Sequence, residues 1–184
     1  DSAAAAGEST IAVDESIEPL SYTYRHGNGN VQIIAADLMD GARRRVEIAE
    51  TGEPLTMRVL ARIDKNVDDP IVGFLIRNRH GISAYGTNTK EQQIDLGAAR
   101  RGDLFEVIFS FNCWLGVDNY SITCAVHSRD GEAYDWIDGA RFFRVTSEMV
   151  TEGVANLNAS ASARRVESSA ALNDENQLRE AVRA

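Results

Sequence analysis

The sequence predicts an all-β chain folded as an antiparallel β-sandwich. Apolar side chains recur at every second position in several segments, which is the spacing of a strand with one buried face. Turn-forming residues interrupt these segments every ~8–12 positions, as they do in domains built from many short strands. Helical spacing fits the same segments poorly. An up-and-down barrel is the alternative that this pattern leaves open.

The alternation is clearest in segments 55–63, 105–111 and 120–126. Segment 71–76 shows it as well, with Leu75 and Arg77 expected to face outward. The residues predicted to face the core are Leu55, Met57, Val59, Ala61, Ile63, Val72, Phe74, Ile76, Phe105, Val107, Phe109, Phe111, Tyr120, Ile122, Cys124 and Val126. Their neighbours in the sequence are therefore expected on the opposite face of each strand.

Ten strands are predicted along the chain, and the remaining segments are assigned by composition. In chain order the strands are 30–38, 43–49, 54–63, 70–78, 82–88, 91–96, 103–113, 119–128, 133–137 and 141–146. Residues 1–20, rich in Ala, Ser, Asp and Glu, are predicted to be a linker, and residues 21–158 the sandwich. Segment 152–158 is a candidate for one more strand. Residues 159–184 form a tail in which a short helix is expected from Asn173 or Asp174.

Composition excludes several classes of function. The chain carries 19 Lys and Arg against 28 Asp and Glu, a net charge of -9, which disfavours nucleic acid as a partner. Apolar runs such as 71–76 are far shorter than the ~20 residues that span a bilayer as a helix. Cys113 and Cys124 lie in apolar segments and are predicted to be buried free thiols.

Catalytic and metal motifs are incomplete in this sequence. No phosphate-binding P-loop is present, and the only lysines are Lys65 and Lys90. Segment 64–75 begins like a calcium loop but lacks the glycine at its sixth position and the glutamate at its twelfth, which favours a polar turn. Segment 81–85 lacks the second glycine of a nucleophile elbow. The three histidines have no spacing typical of zinc ligands. No catalytic residue, metal or cofactor is therefore expected.

The outward faces of the predicted strands suggest a binding surface instead. Hydroxyl, amide, carboxylate and imidazole groups beside small apolar patches match what a sugar needs, with an aromatic ring to stack on its C–H face. Trp114 would supply that ring. The residues predicted to line one shallow carbohydrate site are Arg77, Glu106, Ser110, Asn112, Trp114, Thr123 and His127. A plain solvated sheet face is the alternative.

Four short strings add a resemblance to a known family. In order they are Gly73-Phe74-Leu75-Ile76-Arg77, Tyr85-Gly86-Thr87-Asn88-Thr89, Ala125-Val126-His127 and Tyr134-Asp135-Trp136. With the segment 153–158, they resemble the C-terminal domain of the ATP-binding subunit of O-antigen polysaccharide ABC transporters, of the Wzt type. The resemblance covers about residues 28–158. Thr87, Asn88 and Asp135 are interpreted as structural, satisfying backbone groups in turns, and Trp136 as part of the core.

The resemblance implies a β-sandwich of immunoglobulin-like or jelly-roll appearance. It implies non-catalytic binding of a bacterial O-polysaccharide, often through a modified non-reducing terminus, and coupling of that glycan to export. It also implies a location at the cytoplasmic face of the inner membrane. The implied partners are the glycan, a transmembrane transporter subunit reached through an ATPase domain, and a second copy, with 152–158 as a candidate exchanged strand.

Two other functions remain open at the level of the sequence. The first is a dimerisation module without a ligand, whose interface is the terminal strand. The second is a glycan-modifying enzyme, which would need two carboxylates close together in a cleft. Asp135 and Asp138 are near in the sequence, but strand spacing places them on opposite faces.

Overall fold

The computed structural model describes residues 20–149 and 151–165, and all regular structure among them is β. The strands are β1 (Tyr24–His26), β2 (Val31–Asp40), β3 (Ile48–Glu50), β4 (Pro54–Ile63), β5 (Val67–Asp68), β6 (Ile71–Asn78), β7 (Ser83–Asn88), β8 (Ala98–Ala99), β9 (Leu104–Asn112), β10 (Asn119–His127) and β11 (Ala133–Thr146). None of the described residues belongs to a helix, so none of them forms an apolar helix long enough to cross a membrane.

The strands form two facing sheets, which we call sheet A and sheet B. Sheet A has the order β1-β11-β10-β6-β7, with β3 also paired to β11, and sheet B has the order β2-β4-β9. All pairs are antiparallel except the short parallel pair of β3 with the end of β11. The strands β5 and β8 make a separate two-stranded ribbon. The predicted antiparallel sandwich is therefore confirmed, and the barrel alternative is wrong.

The core lies between the two sheets and consists of the alternating residues that the sequence identified. Every second residue of β4 from Leu55 to Ile63 is at most 2% exposed, and the core-facing residues of β6 and β10 are at most 4% exposed. Phe105 and Phe111, at the two ends of β9, are partly buried and pack against the same cluster. Successive side chains of a strand point to opposite faces of the sheet. The buried residues therefore identify their neighbours in the sequence as outward-facing.

Several predicted strand boundaries differ from the structure. Segment 91–96 is a turn followed by extended chain, in which the amides of Gln92, Gln93 and Ile94 donate to carbonyls of residues 88–90. Segment 43–49 retains only the three-residue β3 at its end. The two strands predicted at 133–137 and 141–146 are one 14-residue strand, β11, which passes through an irregularity at Gly139. The short strands β1, β5 and β8 were missed.

Two buried carboxylates hold the sheets together along the edge formed by β2. The Asp135 carboxylate accepts hydrogen bonds from Arg25 Nε at 2.9 Å and Nη2 at 2.7 Å, and from the Ile33 amide at 2.7 Å. The Asp37 carboxylate on β2 accepts hydrogen bonds from Arg45, Arg58 and Arg141, the last of which lies on β11. Both acids are paired, so burial of their charge is compensated. The interpretation of Asp135 as structural agrees with these contacts.

The segment after β11 is not a full strand within the protomer. Its only ladder contact is an isolated antiparallel bridge between Leu115 and Ala155. The Gly116 amide donates to the Val154 carbonyl at 3.1 Å, and the Asn156 amide donates to the Trp114 carbonyl at 3.0 Å. The expected tail helix from Asn173 or Asp174 and residues 1–19 of the expected linker lie outside the described residues.

Candidate functional site

The predicted carbohydrate-binding residues do not lie on one platform. Arg77, Thr123 and His127 belong to β6 and β10 of sheet A, whereas Glu106, Ser110 and Asn112 belong to β9 of sheet B. Each group faces away from the core, so the two groups lie on opposite outer surfaces of the sandwich. The prediction of a single site was wrong because it assumed that β9 and β10 are neighbours. Residues 113–118 instead carry the chain from one sheet to the other, which is a common connection in sandwiches.

The predicted residues of sheet B have little in common with a ligand site. The Glu106 carboxylate is engaged by Arg58, whose Nε donates to it at 2.6 Å. Ser110 and Asn112 are exposed on an otherwise flat strand. Trp114 follows β9 in a loop, is 41% exposed, and packs against Gly52. This surface fits the solvated sheet face that antiparallel sheets commonly present.

The outer face of sheet A carries a hollow of about 210 Å³ that crosses four strands. One row of directly paired residues runs through it: Trp136 on β11 pairs with Ala125 on β10, Ala125 with Gly73 on β6, and Gly73 with Asn88 on β7. The two central members have little or no side chain, whereas the outer two are large. The hollow is therefore a consequence of residue size along one row of the sheet.

Close packing explains why Gly73 is required at the base of the hollow. A Cβ atom at this position would lie 2.7 Å from the Asn88 Cβ and 2.8 Å from the Thr87 carbonyl oxygen. The glycine therefore lets β7 approach β6 closely, and the same missing side chain leaves space above the sheet. The space over Gly86 is filled instead, because a Cβ there would lie 2.8 Å from the Leu75 Cδ1.

Trp136 forms one wall of the hollow and is held in place on two sides. His26 on β1 stacks against its ring, with centroids 5.9 Å apart, and Tyr24 stacks on His26 at 5.4 Å. Strands β1 and β10 flank β11 on opposite sides, so the ring face away from His26 is the one directed over Ala125. The indole N–H donates to Asp138 Oδ1 at 3.3 Å. Trp136 was predicted to lie in the core, which is wrong: it is half-buried and lines the hollow.

Thr123, which lines the hollow, and its neighbour Arg77 are committed to an internal network. Thr123 is 3% exposed, and its hydroxyl donates to Asp138 Oδ1 at 2.7 Å while accepting from Arg77 Nη1 at 2.8 Å. Burial alone would raise the pKa of Asp138, but the hydrogen bonds from Thr123 and Trp136 and the charge of Arg77 outweigh it and lower that pKa. Asp138 is therefore a carboxylate that organises the network rather than an acid offered to a ligand.

Other polar groups at the rim of the hollow remain available. His127 lines it, and its Nδ1 lies 2.7 Å from the Ser128 carbonyl oxygen. That contact requires a proton on Nδ1, which leaves Nε2 as an acceptor in the neutral ring. Within residues 20–149 and 151–165, the Asn88 side-chain amide N–H and the Glu91 carboxylate have no hydrogen-bond partner, and both residues line the rim. Together these groups offer one donor and two acceptors.

A second opening lies at the sandwich edge between β7 and β9, which are not paired with each other. This edge cleft has a volume of about 300 Å³ and is lined mainly by apolar and aromatic side chains, among them Tyr85, Phe111, Trp114 and Leu115. Its only predicted site residues are Asn112 and Trp114. The cleft therefore separates these two residues from those of the outer hollow.

The segment that begins like a calcium loop makes the contacts of a polar turn. Asp64 pairs with Arg62, and Asn66 accepts from the Arg101 amide, as expected of a polar turn. No group of three or more potential metal ligands occurs among residues 20–149 and 151–165. Asp135 faces β2 and Asp138 the outer surface of sheet A, so the two carboxylates share no cleft.

Burial also raises the pKa of both cysteines. The pKa of Cys113 is raised to about 11 and that of Cys124 to about 12, in each case mainly because the thiol is removed from water. Both are free and buried, as the sequence predicted.

The comparison with family models is decisive for the identity of the domain. Residues 22–157, which include the whole sandwich, match the model of the Wzt C-terminal domain. The chain belongs to the Wzt C-terminal domain family. The resemblance found in the short strings at 73–77, 85–89, 125–127 and 134–136 is thereby confirmed.

The solved structures agree with this assignment at the level of the fold. The crystal structure of the C-terminal domain of Wzt has a TM-score of 0.71 and 21% sequence identity, covering 80% of this chain and 93% of that one. Two others have TM-scores of only 0.37, too low to bear on function. One is a β-glucuronidase of glycoside hydrolase family 2, at 13% identity over 60% of this chain and 11% of that one. The other is the CARDB domain of a Pyrococcus furiosus protein in complex with two metal ions. It is 11% identical and covers 65% of this chain and 97% of that one. A search of curated proteins returned no match.

Membership of the Wzt family supports a role in O-antigen ABC transport. The family domain is non-catalytic, in agreement with the incomplete catalytic motifs of this sequence.

Proposed function

We propose that this Wzt C-terminal domain binds the non-reducing terminus of an O-antigen polysaccharide in the outer hollow of sheet A. The observation that carries the proposal is the fixed indole of Trp136, which stands beside a gap at Ala125 and Gly73. Aromatic rings held upright beside hydrogen-bonding groups suit the C–H faces and hydroxyls of a pyranose. A volume of about 210 Å³ suits one or two sugar rings and hence a chain end.

In this proposal each part of the hollow has its own role. Trp136 stacks on one sugar face, and Asn88, Glu91 and the His127 Nε2 exchange hydrogen bonds with its hydroxyls. Arg77, Thr123 and Asp138 position the indole without touching the sugar. Affinity is expected to be modest, because a solvated sugar exchanges hydrogen bonds with water for similar ones with the protein.

The proposed setting follows the family. The domain would be joined to an ATPase domain that contacts a transmembrane subunit at the cytoplasmic face of the inner membrane. Glycan binding would couple the completed polysaccharide to export. A homodimer would present two such hollows to the transporter.

The two tryptophans allow a direct test, because one lies in the hollow and the other in the edge cleft. In Trp114→Phe the only tryptophan is Trp136, and titration with the O-polysaccharide of the source bacterium should change its fluorescence. In Trp136→Phe the remaining Trp114 should not respond. Trp136→Ala should weaken binding at least about tenfold by calorimetry, with Trp114→Ala as the matched control. Equal binding by both alanine variants would exclude the hollow.

A dimerisation module without a ligand is the second candidate. It is favoured by the terminal segment, which is attached to its own protomer by few backbone hydrogen bonds, next to the two free strand edges of β7 and β9. An extended segment can pair with such an edge in a second copy. This function predicts that deletion of residues 151–184 converts a dimer to monomers by light scattering, and that the polysaccharide fails to bind the full chain.

A further inference from the structure

We infer that the sugar read by the hollow is an uncharged one whose C6 carbon is a methyl group, a 6-deoxyhexose. This rests on the proposed function and adds the class of sugar to it. The inference follows from how the polar groups of the hollow are distributed between its base and its rim.

The base of the hollow presents no free hydrogen-bonding side chain. We define the base by burial: among the lining residues Gly73, Ala125 and Thr123 are buried, beside the half-buried Leu75 side chain. The Thr123 hydroxyl proton already goes to Asp138 while Arg77 donates to its oxygen. Thr87 also lines the hollow, but it pairs with the core-facing Phe74, and its hydroxyl oxygen accepts from Gln92 Nε2 at 3.0 Å. What Thr123 leaves for a ligand is therefore its methyl group.

An apolar base distinguishes between substituents of the same sugar ring. A hydroxymethyl group placed on it would lose its hydrogen bonds to water without replacement, which disfavours binding. A methyl group has no hydrogen bonds to water to lose, and placing it on the base removes apolar surface from water. The ring hydroxyls can still reach Asn88, Glu91 and His127, because those groups stand at the rim rather than at the base.

The charges around the hollow exclude acidic sugars. Glu91 stands at the rim as an unpaired carboxylate, and Asp138 lies behind Trp136. The Nη1 of the Arg77 guanidinium is engaged by Thr123 and Asp138. A carboxylate or phosphate on the sugar would therefore meet like charge, and no lysine or arginine is among the described residues that line the hollow.

The experiment compares sugars that differ only at C6. Methyl glycosides with a methyl, hydroxymethyl or carboxylate group are titrated in the gluco, galacto and manno configurations against ¹⁵N-labelled protein. The amide signals of Gly73, Gly86 and Ala125 report on the hollow. In at least one configuration the 6-deoxy sugar should bind about fivefold or more tightly than its hydroxymethyl counterpart, and the carboxylate should bind least.

A polar base should reduce this preference. Ala125→Ser places a hydroxyl beside Trp136 and should bring the 6-deoxy and hydroxymethyl sugars closer in affinity. Ser110→Ala, on the outer face of sheet B, is the matched control and should leave the ratio unchanged.

The outcomes separate the two proposals. If the O-polysaccharide shifts the hollow signals but no series favours the 6-deoxy sugar, or if the carboxylate binds best, the C6 inference is overturned and the proposed function stands. If neither the polysaccharide nor any sugar shifts those signals while the domain remains folded, both are overturned.

Discussion

At the scale of single residues, Asp135 shows how one side chain can join two sheets. It lies on β11 of sheet A, yet its carboxylate accepts the backbone amide of Ile33 on β2 of sheet B. The same carboxylate forms a two-point ion pair with Arg25, whose hydrogen bond to it raises the pKa of the guanidinium. Because hydrogen bonds to charged groups are stronger than neutral ones, this residue should contribute more than its size suggests.

Asp135→Asn tests that contribution. The change retains the shape of the side chain but removes its charge and one acceptor oxygen, so the free energy of unfolding should fall by about 2–3 kcal/mol. Urea denaturation followed by circular dichroism measures the loss. Asp64→Asn is the matched control, because its pair with Arg62 is exposed and should contribute less than about 1 kcal/mol. Equal losses in the two variants would contradict the role given to Asp135.

The buried thiols predict a loss of stability at alkaline pH. An ordinary thiol titrates near pH 9.0, whereas burial raises the pKa of Cys113 to about 11 and that of Cys124 to about 12. The folded state therefore holds these protons more tightly than the unfolded state. Their contribution is complete below pH 9 and is lost as the pH rises toward 12, by up to about 1.4 kcal/mol per pH unit for each thiol.

Urea denaturation at pH 8, 9 and 10 measures this effect. A variant with both cysteines replaced by alanine should show a smaller decline in the free energy of unfolding over the same range. The difference in slope is the relevant quantity, since the cavities left by the substitutions lower stability equally at each pH. If the two slopes were identical, the thiols would not be groups that ionise in the unfolded chain while staying protonated in the folded one.

At the scale of elements, the spacing of β6 and β7 determines the shape of the hollow. Gly73 is the residue on β6 opposite Asn88, and the space that a Cβ would need is filled by Asn88 and the Thr87 carbonyl. The two strands are therefore closer here than side chains on both would permit. Any enlargement at this position must move β7, because the nearest atoms belong to its backbone or lie next to it.

Gly73→Ala should thus both destabilise the domain and alter the hollow. Overpacking at this pair of residues should lower the free energy of unfolding, measured by urea denaturation, by about 1–3 kcal/mol. Gly41→Ala is the matched control, because nothing lies within 4 Å of a Cβ built at that turn and its φ is not positive. The control should change stability by less than about 0.5 kcal/mol. If Gly73→Ala were equally neutral, the close approach of the two strands would be disproved.

The strands show what periodicity can and cannot predict. Long strands such as β4 and β10 follow from alternation, because each buries one face in a common core. Segment 91–96 also contains spaced apolar residues, but three backbone hydrogen bonds close it into a turn. The two- and three-residue strands depend on partners distant in sequence and leave no periodic signal of their own. Gly139 looks like a strand end but instead allows β11 to continue.

The candidate site was only partly predictable for a related reason. Alternation correctly assigned Arg77 and His127 to an outward face. It could not decide whether β9 and β10 share a sheet, because that depends on contacts across the whole chain, and Glu106 was grouped with them wrongly. Trp136 was missed because a large aromatic residue in a strand is more often buried, whereas here small neighbours leave one side of it open.

At the scale of the whole molecule, the core of the described residues lies within a part of the chain. All members of the buried cluster lie between Val31 and Val145. The family match covers a similar part, residues 22–157. We therefore propose residues 21–158 as the folding unit.

A chain of residues 20–158 tests this proposal. Its free energy of unfolding and its urea m-value should equal those of the full chain, because the m-value scales with the surface exposed on unfolding. A further chain ending at residue 150 should be less stable, since it lacks the buried Asn156 and its contacts with Trp114 and Thr51. A lower m-value for residues 20–158 would show that the flanking segments belong to the core.

The position of β11 has a consequence for synthesis of the protein on the ribosome. This strand is the last long one to be translated, yet it lies between β1 and β10 in sheet A, and Tyr24 pairs with Asp138. A nascent chain that stops short of β11 leaves one edge of β10 and all of β1 unpaired. Such edges associate readily with other chains. Premature termination before residue 133 should therefore yield aggregates rather than a smaller soluble domain.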